Sequence, residues 1–180
     1  LIISYRDPFE QLNSHLRWLA LIGEDEESAM FKNHPPHVKQ IARRVNQIDF
    51  AKPADVANFV ATMSPAERGL FDNFLIRYLC PFQVKGRVEN LHLAAAVSSI
   101  DDIDYFVDTE SLHDDLMRIF QAEGLAEPEA PLHENSGRGR LTSQMVKSRK
   151  AELAPLFRYD KPLYDRLAAR SSLAIPEAAS

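Results

Sequence analysis

The sequence predicts an α/β fold in which a parallel sheet is flanked by many helices and the helices dominate. Two apolar, β-rich segments, Leu1–Tyr5 and Ile103–Val107, each lead into a capped helix, and the stretch between them is divided by prolines into amphipathic segments. Strands separated by helical crossovers and each followed by a helix are expected to lie parallel. Two strands do not make a stable sheet alone, so further strands are expected upstream of Leu1. Residues 1–180 then read as a single domain that is incomplete at its N-terminus.

The elements follow in order. After the first strand, Asp7-Pro8-Phe9-Glu10 reads as a helix start, with Asp7 at N-cap, Pro8 at N1 and Glu10 at N3. Phe9, Leu12, Leu16 and Leu19 form its buried stripe, and Gly23 ends it. Glu24 to Glu27 reads as a solvated turn. A second helix begins at Pro35-Pro36 with Val38, Ile41, Val45 and Ile48 on one face, and a third near Pro53 with Val56, Phe59, Val60 and Met63. Ser64-Pro65-Ala66-Glu67 repeats the cap logic and opens a helix that carries Leu70, Phe71, Phe74 and Leu75. Pro81 to Arg87 is a loop, and Glu89 to Ser98 a helix. The second strand follows, then a helix capped by Asp108 or Thr109, with Leu112, Leu116, Ile119 and Phe120 inside and Gly124 at its end. Glu127 to Arg140 reads as a surface loop. Helices over Ser143–Leu156 and Pro162–Arg170 close the chain.

Composition excludes several classes. A net charge of −5 argues against a general nucleic-acid binder, because duplex affinity rests on phosphate neutralisation by Lys and Arg. No apolar run reaches the roughly 20 residues that span a bilayer. The single cysteine, Cys80, has no partner for an internal disulfide or a Cys-rich metal site, and reads as a small buried hydrophobe in a reducing cytoplasm. An upstream segment would leave a Golgi or membrane-tethered location open.

Several polar residues stand out, each with two readings. His15 either faces a substrate or nucleotide or packs on the helix surface beside Trp18. His34 and His37 flank Pro35-Pro36 without a nearby third ligand, so they read as acceptor-cleft or surface residues and not as a metal site. Asn73 and Arg77, one helical turn apart, either contact acceptor and cofactor or form a buried structural pair. Arg138 and Arg140, beside glycines, either clamp a phosphate or form a solvated basic loop.

Tyr5-Arg6-Asp7-Pro8, followed six residues later by Ser14, resembles the 3′-phosphate-binding element of PAPS-dependent sulfotransferases, the carbohydrate sulfotransferases in particular. Segments 71–79 (Phe-Asp-Asn-Phe-Leu-Ile-Arg-Tyr-Leu), 105–112 (Tyr-Phe-Val-Asp-Thr-Glu-Ser-Leu), 131–136 (Pro-Leu-His-Glu-Asn-Ser) and Tyr159-Asp160 with Tyr164 resemble later parts of that family in the same order. The resemblance covers nearly the whole chain. Asp108 departs from it, standing where the family usually has Gly.

The resemblance implies a P-loop-like sulfotransferase fold and transfer of a sulfuryl group from PAPS to a hydroxyl, the acceptor a glycan or small molecule, with no metal. It assigns Arg6 and Ser14 to the 3′-phosphate: a guanidinium offers a planar fork to phosphate oxygens, and a helix-borne hydroxyl adds one donor. It places Asn135, Ser136, Arg138 and Arg140 near the cofactor, and His15, His34, Asn73 and Arg77 toward the acceptor. The family's 5′-phosphosulfate loop and catalytic base lie upstream of Arg-Asp-Pro and have no counterpart here, so no base is assigned and the chain alone is expected to be inactive. The rival readings are a non-catalytic helical interaction domain and a relative of the P-loop kinases.

Overall fold

The computed structural model of the chain describes residues 1–126 and 139–174. It is mostly helical, with one small parallel sheet. β1 (Ile2–Tyr5) pairs in parallel with β2 (Tyr105–Asp108), Ile2 opposite Tyr105 and Tyr5 opposite Asp108. The second strand thus lies about two residues later than its composition suggests. The expected parallel pairing is present, and both strands end at the same edge of the molecule.

Between the strands run α1 (Pro8–Gly23), α2 (Ala29–Lys32), α3 (Pro36–Asn46), α4 (Pro53–Ala61), α5 (Pro65–Phe71), α6 (Phe74–Leu79) and α7 (Asn90–Ser99). α8 (Leu112–Ala122), α9 (Ser143–Lys147), α10 (Lys150–Leu153) and α11 (Asp160–Ala174) follow β2. Prolines open α1, α3, α4 and α5, where the missing N–H costs nothing. The Asp7 carboxylate accepts from the amides of Phe9 and Glu10 at 2.9 and 3.1 Å, and Ser64 with Glu67 forms a reciprocal capping box. α1 packs closely on α3 because residue 23 is glycine: a Cβ there would lie 2.8 Å from the Ala42 carbonyl oxygen.

Two hydrophobic clusters form the interior. One joins α1, α3, α4, α5, α9 and α10 through Leu16, Leu19, Val45, Phe59, Phe71 and Leu153. The other joins the sheet to α6, α7 and α11 through Ile3, Phe106, Ile76, Ala96 and Leu163. Leu16 is wholly enclosed, and truncating such a side chain to Ala costs about 2–5 kcal/mol.

The chain passes from the helical cluster to the sheet cluster at two places that lie side by side. Phe71 belongs to the helical cluster and Leu75 to the sheet cluster; Leu156 and Leu163 are divided in the same way. Here the structure corrects the sequence reading. The expected continuous helix through Leu70–Leu75 is broken at Asp72-Asn73, where Asn73 takes the left-handed conformation with φ 51°. The expected helix over Ser143–Leu156 is likewise divided into α9, α10 and a 3₁₀ turn at Ala154–Leu156. α11 begins earlier than Pro162. The helix after β2 starts after Ser111, while the Asp108 carboxylate accepts from the Glu110 amide within the turn. Cys80 is partly exposed, not buried.

Candidate anion-binding cavity at the strand ends

Arg6 follows the last paired residue of β1, and Asp7 immediately caps α1, so the Arg6 side chain is held where strand turns into helix. A cavity of about 270 Å³ opens at this point. Arg6 and Gln11 line one side of it, Phe74 and Tyr78 of α6 another, with Thr109 beyond the end of β2 and Asp160 at the start of α11. Ligands of open parallel sheets gather at such carboxyl ends.

The Arg6 Nε is buried and has no hydrogen-bond partner among the described residues. A buried donor left unsatisfied costs about 1–3 kcal/mol, and a charged one is costlier still. The Arg6 charge is felt nearby, helping to lower the pKa of both Glu10 and His15. For Glu10, burial works the other way and is outweighed by bonds from Lys147 and Asn13.

His15 does not pack on the surface beside Trp18. It is partly buried, edge-on to Phe74 at 5.0 Å, with Nδ1 3.4 Å from the Leu70 carbonyl oxygen. Burial first, and Arg6 after it, push its pKa down against that carbonyl, which favours the neutral ring. With the proton on Nδ1, Nε2 accepts from the Gln11 side-chain amide at 2.7 Å. His15 therefore positions Gln11, and Gln11 lines the cavity.

Asp160 is the acidic group of the cavity. Its two carboxylate oxygens accept from the Leu75 and Ile76 amides at 2.9 Å each. Burial pushes its pKa up to about 7 despite those bonds, with Asp72 raising it further and Arg77 opposing. The end of β2 is acidic by contrast: burial and then Asp108, Asp7, Tyr5 and Glu110 push the Tyr164 phenol up to about 12.

The other residues singled out from sequence are dispersed. Ser14 is half-buried on α1 outside the cavity lining. His34 packs edge-on against Trp18 at 5.3 Å, and His37 is exposed at the start of α3. The Arg140 amide donates to Glu24, past the far end of α1, roughly 24 Å along a 16-residue helix from Arg6. Arg140 therefore does not join Arg6 as a phosphate clamp. Asn135, Ser136 and Arg138 lie outside the described residues.

Asn73 and Arg77 are committed to the chain itself. Asn73 Oδ1 accepts from the amides of Tyr159 and Asp160, and its Nδ2 donates to Asp72. Arg77 donates to the Asp72 carboxylate at 2.7 Å, to the Asp72 carbonyl, and to the carbonyls of Val84 and Gly86. The assigned contact with acceptor is replaced by the buried structural pair, which stitches the two crossing points together.

Gln11, Tyr78 and Thr109 were not singled out from sequence. Gln11 carried a usable signal, lying four residues before His15 on one helix face. Tyr78 has none locally, because only the break at Asn73 turns α6 toward β1. Among the described residues no group of His, Cys, Asp and Glu is arranged to hold a metal ion, and no helix is long and apolar enough to cross a membrane. No protein-family model, curated protein or solved structure matches the chain.

Proposed function

We propose that this chain is part of a PAPS-dependent sulfotransferase and supplies the grip on the cofactor's 3′-phosphate, with Arg6 as the gripping residue. One observation carries the reading: Arg6, whose buried Nε has no hydrogen-bond partner among the described residues, lines a cavity at the carboxyl end of a parallel strand. A phosphate oxygen would satisfy it with a charge-assisted hydrogen bond. Tyr78 supports a nucleotide over a bare anion. It is 61% exposed, stacks on Phe74 with rings 9° from parallel, and offers its ring to a base. Stacking of a base on an aromatic side chain is worth about 1–3 kcal/mol.

In this reading PAPS donates its sulfuryl group to an acceptor hydroxyl, a carbohydrate by family likeness, and leaves as the bisphosphate PAP. The residues of this chain hold the nucleotide: Arg6 binds the 3′-phosphate, Gln11 fixed by His15 offers an amide, and Tyr78 faces the adenine. Ser14 joins only if α1 presents its hydroxyl to the same phosphate. Asp160 in its protonated form tolerates an anion in the cavity, and in its ionised form opposes one.

Calorimetric titration with PAP and with 5′-AMP tests the proposal. The expected result is a preference for PAP of at least about tenfold, which is about 1.4 kcal/mol, and its loss in Arg6→Ala. Equal binding of both nucleotides, or an undiminished preference in Arg6→Ala, would contradict it.

A further inference from the structure

We infer that the chain carries a second ligand site, for an organic phosphate or carboxylate that also bears hydroxyl donors, in the cavity of about 530 Å³ on the other side of the Asp72–Asn73–Asp160 junction. Three elements bring one arginine each to this cavity: Arg68 from α5, Arg87 from the loop before α7, and Arg158 from the turn before α11. The floor is apolar, with Val60, Val88 and Leu156.

Two features separate this cavity from an ordinary charged surface. Neither Arg68 nor Arg87 has an ion pair or side-chain hydrogen bond among the described residues, although the chain as a whole is acidic. Cations that converge without pairing to a carboxylate repel one another and fit an anion between them. Arg158 is held in place, its Nη2 donating to the Tyr159 hydroxyl at 2.9 Å and its guanidinium lying 4.6 Å from that ring. The second feature is Glu152, which lines the same cavity and has a buried Oε2 with no donor among the described residues. A carboxylate oxygen in that state accepts from a ligand hydroxyl.

The remaining acids of the cavity are already engaged. Asp72 is paired with Arg77, and the Glu89 side chain accepts from a backbone amide in the capping box of α7. The groups left for a ligand are therefore the guanidiniums of Arg68 and Arg87, the remaining donors of the tethered Arg158, and the Glu152 carboxylate, a set that selects an anion with hydroxyls over an anion alone. The volume exceeds that of a bare inorganic ion and lies in the range of small-molecule sites.

This site is independent of Arg6. Asn73 and Tyr159 line the larger cavity, while their neighbours Phe74 and Asp160 line the smaller one, so the buried polar junction is a wall between them.

The probes are glucose 6-phosphate, inorganic phosphate and glucose, titrated calorimetrically into the wild-type chain and variants whose melting is checked first. Glucose 6-phosphate is expected to bind saturably and more tightly than phosphate, and glucose not to bind. The pair Arg68→Gln with Arg87→Gln should weaken glucose 6-phosphate by at least about tenfold, as expected for lost charge-assisted bonds. Glu152→Ala should erase the preference for glucose 6-phosphate over phosphate, and Arg6→Ala should leave the glucose 6-phosphate affinity unchanged. Equal binding of glucose 6-phosphate and phosphate, no effect of the paired arginine substitutions, or an equal loss in Arg6→Ala would each overturn the assignment.

Discussion

Arg77 and Arg6 are both sheltered arginines at the edge of the sheet cluster, and their circumstances are opposite. Every nitrogen of the Arg77 guanidinium is bonded within the chain, to Asp72, Val84 and Gly86. Arg6 has a buried nitrogen with nothing to bond among the described residues, and it lines a cavity. A saturated buried group serves the fold, and an unsatisfied one that lines a cavity serves a ligand. The difference teaches that residue type does not assign function here; hydrogen-bond accounting does.

The largest effect expected from this contrast is on stability. Arg77→Ala leaves the Asp72 carboxylate, 7% exposed, without its cation, and should cost about 3–5 kcal/mol in a denaturant titration. A cost below about 1 kcal/mol would show that the network is ornamental and break the comparison.

The next is a pH dependence. Asp160 has a folded pKa of about 7 against an ordinary value of 3.8, so the folded state binds its proton more tightly than the unfolded chain does. Its contribution to stability is complete below about pH 4 and is lost as pH rises through about 7, a loss on the order of a few kcal/mol. Unfolding free energy measured across that window should decline in the wild type and be flatter in Asp160→Asn. His15 works in the opposite sense: its pKa is lowered on folding, so its contribution is present above its ordinary value and is lost as pH falls through the folded one.

Asn73 sharpens the argument at a smaller scale. Asn73→Ala loses the bonds to Tyr159, Asp160 and Asp72 and places a Cβ-bearing residue with no local hydrogen bond at positive φ. Asn73→Gly loses the same bonds without the backbone strain. Equilibrium unfolding should find the glycine variant about 1 kcal/mol the more stable of the two.

Much of the fold was legible in the sequence because the signals are local. Asp7-Pro8 and Ser64-Pro65-Ala66-Glu67 are cap chemistry that one helix end decides by itself, and the parallel pairing followed from the helices that separate the strands. The break at Asn73 was not legible in the same way. Phe71, Phe74 and Leu75 keep helical spacing across it, and what stops the helix is tertiary: Asn73 is held by Leu156, Tyr159 and Asp160, over 80 residues away. The site divides along the same line. Arg6 could be found from the strand-to-helix turn that presents it. Gln11, Tyr78 and Thr109 become its neighbours only once α6 is turned and β2 is paired, and the dispersal of Arg140 and His34 depends on which end of α1 each meets.

Arg6 supplies the one stability effect of opposite sign. Because its buried Nε has no partner among the described residues, Arg6→Ala should relieve that penalty and stabilise the fold by about 1 kcal/mol or more. The most direct test of the central claim reads the same nitrogen. In a ¹⁵N-labelled chain, the Nε–H resonances of Arg6 and Arg77 are followed while PAP and, separately, 5′-AMP are added. The Arg6 resonance should move with PAP and not with 5′-AMP, while Arg77 stays in place. A PAP titration that leaves Arg6 unmoved, or moves it no more than 5′-AMP does, would contradict the account.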